Sequence, residues 1–180
     1  MTSETKRKIK MASFATLFTG AMIVLYLTFK SNVKEEDLKD YKSPYFDFSD
    51  MFRSSTATNY EIDNTTQDED ILLNIRALLK MVVDPAVEKY KQLYGGTISI
   101  NSGYRTTAVN QLVNGAINSQ HLKGEAVDLT TGSTVGNKNL YSIIRDAGVY
   151  DQLINENNYS WVHVSYKRIG YNRTEQLSLL

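Results

Sequence analysis

Two patterns of hydrophobic positions divide the chain. Between residues 71 and 83, apolar side chains recur every three or four positions, as expected of a helix with one buried face. Asp84-Pro85 then resembles an N-cap followed by proline at the first helical position, which predicts a second helix to about Tyr94. A further helix is predicted over 137–147, closed by Gly148.

Short segments later in the chain are rich in strand-forming residues. They are TISIN (97–101), EAVDL (125–129), DQLINE (151–156) and WVHVSY (161–166), with a short helix at 106–113 between the first two. The last two segments are separated by 157–160, which is a hairpin signal. Because helices come first and strands later, the pattern predicts an α+β fold in which helices pack on a small antiparallel sheet.

The N-terminus follows neither pattern, because residues 11–29 contain no charged side chain. A helix of that length, at about 1.5 Å per residue, is close to the hydrocarbon thickness of a bilayer. Basic residues precede it, so the positive-inside rule predicts a single-pass transmembrane helix, a cytoplasmic N-terminus and a periplasmic or extracytoplasmic domain. A cleaved signal peptide and a buried helix of the folded domain are the alternatives. The predicted organisation is a tail and anchor at 1–30, a linker at 31–44 and one domain at 45–180.

Charge and cysteine content restrict the function. Twenty basic residues balance twenty acidic ones, so no overall positive field favours nucleic acid, which is not expected as a partner. The chain has no cysteine, which excludes disulfides and thiolate ligands. Any metal must therefore be bound by His, Asp or Glu, and only His121 and His163 supply imidazoles. The composition leaves the oligomeric state open.

The segment SQHLKGEAVD (119–128) places a histidine and an aspartate on either side of a glycine. If Gly124 permits a sharp turn, His121 and Asp128 can face one point from adjoining segments. His163 lies in WVHVSY, where a histidine between two valines is also common as a hydrogen-bonded core residue. Two histidines and one aspartate, with water in the fourth position, are nevertheless a ligand set of catalytic zinc sites.

A zinc hydrolase also needs a general base near the bound water. Glu156 ends the strand before the turn that leads to His163, so we predict it as the base. Asp151 is the reserve candidate. The alternative for Glu156 is an exposed carboxylate at a turn.

The pattern S-x-H-x-x-G-x-A-x-D, followed some 35 residues later by W-x-H, resembles the zinc D-alanyl-D-alanine carboxypeptidase family and related phage cell-wall endopeptidases. Their fold is shared with the Hedgehog signalling domain, and the likeness extends from about Tyr45 to Arg173. The resemblance implies that His121, Asp128 and His163 bind one Zn²⁺ per chain. It also implies hydrolysis of peptide bonds in peptidoglycan stem peptides, by a carboxypeptidase or endopeptidase.

The segment Ser102-Gly103-Tyr104-Arg105 is similar to the SGYR turn of this family. By that likeness Arg105 pairs with a substrate carboxylate, a structural salt bridge being the alternative, and Tyr104 and Ser119 are further substrate-binding candidates. Many members carry an acidic base at the position that Ser160 occupies in this chain. The position of Glu156, at the end of the preceding strand, is instead similar to the Hedgehog-like arrangement. If Glu156 is not a base, the alternative is a non-catalytic zinc-containing domain that binds cell wall or belongs to a virion.

Overall fold

The structure, a computed structural model, describes residues 34–179. In its first half the helices are α1 (Glu35–Lys39), α2 (Ser55–Asn59), α3 (Glu69–Leu78) and α4 (Asp84–Tyr94), with a 3-10 helix at Phe48–Phe52. The second half contains β1 (Ser99–Ser102), α5 (Thr107–Leu112), a 3-10 turn (Gln120–Lys123), β2 (Ala126–Thr130), α6 (Thr134–Ala147), β3 (Gln152–Glu156), β4 (Trp161–Ser165) and β5 (Glu175–Leu179).

Helices α3 and α4 are joined by a π-helical turn at Leu79–Val83. Asp84 is not the predicted N-cap, because its backbone is helical (φ −63°, ψ −42°). The π turn lies directly before Pro85, whose nitrogen has no hydrogen to donate to the regular hydrogen bonding of a helix. The carboxylate of Asp84 instead accepts hydrogen bonds from the hydroxyls of Tyr41 (2.6 Å) and Ser43 (2.7 Å). Asp84 therefore fixes the segment before the predicted domain start onto the helical layer.

The sheet has the strand order β1-β2-β4-β3-β5. The first three pairings along that order are antiparallel, but β5 runs parallel to β3. The α+β arrangement therefore fits, whereas the prediction of a wholly antiparallel sheet is wrong. The mixed sheet arises because EQLSL (175–179), which the local pattern does not predict as a strand, pairs with the free edge of β3.

One face of the sheet forms the core with the helices. The inward residues of its central strands are fully buried, namely Val127, Leu129, Leu153, Val162 and Val164. Helix α6 packs on these strands through buried residues that include Leu140 and Ile144. Because successive strand residues point to opposite faces, Asp128 and His163 lie on the other side of the sheet.

The fold-class prediction needs one further correction, which concerns the membrane helix. Across residues 34–179, no helix is both long and apolar enough to cross a bilayer. For the part of the chain that the structure describes, two predictions are therefore wrong. One is a fold that includes a transmembrane helix, and the other is a single-pass membrane protein. The stretch at 11–29 on which they rested lies outside the described residues.

Candidate metal centre

One line of paired residues crosses the whole sheet and contains two of the predicted ligands. Ser102 pairs with Asp128, Asp128 with His163, His163 with Ile154 and Ile154 with Leu177. Directly paired residues on neighbouring strands present their side chains to the same face. We call these five residues the ligand row. Pairing in the sheet thus brings Asp128 and His163 side by side although they are far apart in sequence.

The predicted ligands His121, Asp128 and His163 form one buried cluster. Oδ1 of Asp128 lies 2.9 Å from Nδ1 of His163 and 3.4 Å from Nε2 of His121, and the two nitrogens are 3.2 Å apart. Three donor atoms therefore converge on one point. The structure brings together the three residues that the sequence singled out.

The 3-10 turn after Ser119 positions His121. The Ser119 hydroxyl accepts a hydrogen bond from the His121 amide (3.3 Å), and Nδ1 of His121 lies 2.6 Å from the carbonyl oxygen of Gly103. If Nδ1 donates to that carbonyl, Nε2 presents its lone pair to the cluster, as in many metal-binding histidines. Gly124 ends the turn in the left-handed region (φ 66°), where a Cβ atom would meet the backbone of Ile71 at 2.8 Å. The glycine is required because the turn packs this closely on α3.

The donor set fits a metal ion. Tetrahedral zinc with bonds of about 2.0–2.1 Å places its ligand atoms roughly 3.3 Å apart. The three separations in the cluster, 2.9, 3.2 and 3.4 Å, bracket that value. Two imidazoles and one carboxylate also match the chemistry that zinc accepts in a site with an open fourth position. The cluster can therefore hold a metal ion.

Burial and charge keep the cluster in the protonation states that metal binding needs. Burial lowers the pKa of His121, which favours a neutral imidazole. Burial alone would raise the pKa of Asp128, but its close contacts with His121 and His163 outweigh burial, so the pKa of Asp128 lies well below the usual range. The aspartate is an anion and His121 is neutral near pH 7, and both forms can donate electron pairs to a cation.

Arg105 lies beside the cluster and makes two contacts through its guanidinium group. Its Nη2 donates to Oδ2 of Asp128 (2.8 Å), and its Nε donates to the Ser102 hydroxyl (2.9 Å). Because Arg105 binds Oδ2 of Asp128, the other oxygen, Oδ1, faces the two histidines. Arg105 thus orients Asp128, which agrees with the salt-bridge alternative, and its predicted contact with substrate stays a prediction.

The other two substrate-binding candidates have structural contacts. Tyr104 is buried, its ring packs edge-on against Phe52 with centroids 6.0 Å apart, and its amide donates to the Met51 carbonyl. Ser119 contacts the His121 amide. These contacts support the turns that carry Arg105 and His121, and a direct contact of Tyr104 or Ser119 with substrate stays a prediction.

The two predicted bases occupy different environments. Glu156 pairs with Trp161 in the β3–β4 hairpin and is half-buried on the face of the ligand row. Burial raises its pKa, and the charges of His163, Asp128 and Arg105 act on it, so it lies within electrostatic reach of the cluster. Asp151 is fully buried and forms ion pairs with Arg173 (2.5 Å) and Lys167 (3.0 Å). Asp151 therefore anchors the segment that leads to β5.

Sequence analysis missed two residues that shape the site. The Asn64 amide donates to the carbonyls of Tyr104 and Phe52 and accepts from the Thr106 amide, which ties down the Tyr104-Arg105 turn. At Gly103, a Cβ atom would lie 2.4 Å from the Met51 carbonyl oxygen. The glycine in SGYR was a visible signal for such a close approach. Nothing local marked Asn64, because its partners lie up to 42 residues away.

The domain combines an α+β fold with a buried His-Asp-His cluster that can hold a metal ion. The sequence profile of the Peptidase M15 family matches residues 44–165, which is more than half of the chain. The chain therefore belongs to the Peptidase M15 family, and this confirms the resemblance seen in SQHLKGEAVD. No curated protein matches the sequence significantly.

Proposed function

We propose that the protein is a zinc-dependent peptidase that hydrolyses peptide bonds in peptidoglycan stem peptides. The observation that carries the proposal is the convergence of His121 Nε2, Asp128 Oδ1 and His163 Nδ1 within 3.4 Å of one another. Membership of a peptidase family supports the reaction class. The resemblance to enzymes that act on D-alanyl-D-alanine supports the substrate.

In this proposal His121, Asp128 and His163 hold the metal. A Zn²⁺ ion bound there supplies Lewis-acid chemistry, which polarises a carbonyl group and makes a water molecule more acidic. Arg105 keeps Asp128 in its binding orientation through Oδ2. Its guanidinium has five N–H donors and uses two of them on Asp128 and Ser102, so others are available for a substrate carboxylate.

Glu156 acts as the general base. Its carboxylate accepts the proton of the attacking water and returns that proton to the leaving amine. The raised pKa supports this role, because a base accepts a proton more readily when its pKa lies closer to the working pH. The position of Glu156 at the end of β3, on the face of the ligand row, is compatible with access to the same substrate bond.

The test is digestion of purified peptidoglycan by the zinc-loaded full chain, with the new termini identified by mass spectrometry. Release of single D-alanine residues would support a D,D-carboxypeptidase, and new internal termini would support an endopeptidase. Glu156→Gln is the matched control, since it keeps size and fold. Full zinc loading without any new terminus would contradict the proposal and favour the non-catalytic cell-wall-binding or virion domain.

A further inference from the structure

The turn between β3 and β4 has a backbone conformation that residues other than glycine rarely adopt. Asn157, Asn158 and Tyr159 have φ values of 45°, 54° and 62°, all in the left-handed region. Residues with a Cβ atom enter this region singly and seldom in runs, and a bulky side chain such as that of tyrosine is unusual there. The run costs free energy that surrounding contacts must offset, and strained backbone of this kind is concentrated at functional sites.

This turn directly follows Glu156, the proposed base. Glu156 pairs with Trp161 in the last pair of the hairpin, so residues 157–160 close it. The Ser160 amide donates to the Glu156 carbonyl (3.0 Å), and the Asn157 amide donates to the Leu179 carbonyl (2.7 Å). The path of the turn therefore sets the direction in which the Glu156 side chain leaves the sheet.

Asn137 binds this turn from the core side of the sheet. It lies on α6, is 1% exposed, and donates through Nδ2 to the carbonyls of Tyr159 and Ser160 (both 2.9 Å). Its Oδ1 accepts a hydrogen bond from the amide of Thr131 (2.7 Å), the residue that follows β2. One buried side chain thus fastens the turn to the end of a strand that carries a predicted metal ligand.

Tyr159 has two further contacts that keep it in place. Its amide donates to Oδ1 of Asn155 (2.5 Å), and its ring packs edge-on against that of Tyr141 on α6, with centroids 5.6 Å apart. Asn155 and Tyr141 are both buried, whereas Asn157 and Asn158 at the tip of the turn are exposed. Groups of the core therefore fix a strained turn at the surface.

We infer that Asn137 is a positioning residue for the general base, because it keeps the 157–159 turn in the conformation that directs Glu156 to the face of the ligand row. The inference rests on the proposed function. His163 lies further along the hairpin, and pairing with both Asp128 and Ile154 fixes its position. Loss of the Asn137 contacts should therefore slow the chemical step and leave metal binding unchanged.

The experiment compares steady-state hydrolysis of a synthetic stem peptide by the zinc-loaded full chain and its Asn137→Asp variant. Aspartate has the same size and keeps the acceptor for Thr131, but it cannot donate to both carbonyls of the turn. We expect kcat to fall about 10- to 100-fold, because displacing a catalytic group by roughly 1 Å costs up to about that much. KM should change little, and so should zinc affinity, measured by competition with a chelator.

Asn172→Asp is the matched control. Asn172 is also buried, and its side chain contacts the backbone amide and carbonyl of Lys167 in a loop that carries no predicted site residue. The control variant should retain the kcat of the parent protein. Circular dichroism verifies that each variant is folded.

Substitution of the exposed Asn158 tests the turn without changing the core. Valine is strongly disfavoured in the left-handed region, whereas glycine adopts it freely. Asn158→Val should therefore lower kcat, and Asn158→Gly, which keeps the turn conformation accessible, should restore it. In a Glu156→Gln background, neither Asn137→Asp nor Asn158→Val should lower kcat further, because the carboxylate that the turn positions is already absent.

A kcat equal to that of the parent in folded Asn137→Asp or Asn158→Val would overturn the inference while the proposed function stands. Undiminished effects in the Glu156→Gln background would also overturn it, as would a loss of zinc affinity as large as the loss of kcat, because both indicate a general disturbance of the fold. Full activity of Glu156→Gln would overturn the inference together with the role of Glu156. Absence of hydrolysis by the parent protein would overturn both proposals.

Discussion

Asp128 and His163 lie directly opposite each other on β2 and β4, and Oδ1 of Asp128 is 2.9 Å from Nδ1 of His163. The second oxygen of Asp128 is bound by Arg105, and Nδ1 of His121 is within 2.6 Å of the Gly103 carbonyl. Asp128 and His121 are therefore fixed by a second set of contacts before any metal binds. Such preorganisation raises metal affinity, because little order is lost on binding.

The first prediction concerns metal content. Purified protein should contain about one zinc per chain, and His121→Ala, Asp128→Ala and His163→Ala should each lose it, because two remaining ligands bind zinc weakly. Elemental analysis by mass spectrometry measures the content, with circular dichroism to verify folding. Glu156→Gln is the control and should retain zinc. Full occupancy in folded Asp128→Ala would contradict the ligand assignment.

The second prediction separates the base from the ligands. Glu156→Gln should lower the rate of stem-peptide cleavage by about 10² to 10⁴-fold, since general acid–base catalysis contributes about that much. Zinc content and thermal stability should be unchanged. Glu175→Gln removes a carboxylate from the same sheet face, on β5, and should retain activity. Parent-like turnover by Glu156→Gln would place the base elsewhere.

The third prediction uses the Gly103 carbonyl that contacts His121. Gly103→Ala would bring a Cβ atom to 2.4 Å from the Met51 carbonyl oxygen, so the turn must move and His121 would lose its support. Loss of such a partner weakens metal binding about 10- to 100-fold, measurable by competition with a chelator. Gly132→Ala is the control, because its Cβ atom would meet open space but its positive φ (79°) strains a turn that carries no predicted ligand. An equal loss in both variants would indicate general destabilisation.

The fourth prediction concerns acid stability. Burial alone would raise the pKa of Asp151, but Arg173 and Lys167 lower it to about 2. A carboxyl with a depressed folded-state pKa stabilises the fold above its unfolded pKa of about 3.9, and that stability is lost as the pH falls toward the folded value. The free energy of unfolding of the parent should therefore decrease between about pH 4 and pH 2.

Asp151→Asn should lower the free energy of unfolding at pH 7 by about 2 kcal/mol, because hydrogen bonds to a charged group are lost. It should also flatten the decrease at low pH. Urea unfolding at several pH values measures both effects. Asp146→Asn is the comparison, since Asp146 forms an ion pair with Arg145 in which both side chains are well exposed, and such a pair contributes little. A parent-like pH profile for Asp151→Asn would contradict the assignment.

Local sequence predicted several of the helices and strands and indicated the candidate ligands. Helical periodicity predicted α3 and α6, and strand-forming residues predicted β2, β3 and β4, because these signals lie within a few neighbouring residues. Composition alone narrowed the ligand set, since the chain has no cysteine and only two histidines. The spacing of His121, Gly124 and Asp128 then indicated one site.

Tertiary structure decided the contacts between distant segments. The sequence did not show that Asp84 binds Tyr41 and Ser43 instead of capping a helix, or that Arg105 orients Asp128. It also did not show that β5 adds Leu177 to the ligand row, because an amphiphilic pentapeptide becomes a strand only where a free sheet edge is available. The sequence by itself determined which side chains can bind a metal. Their orientation, and the surface beside them, depend on hydrogen bonds and strand pairing across tens of residues, which local patterns do not encode.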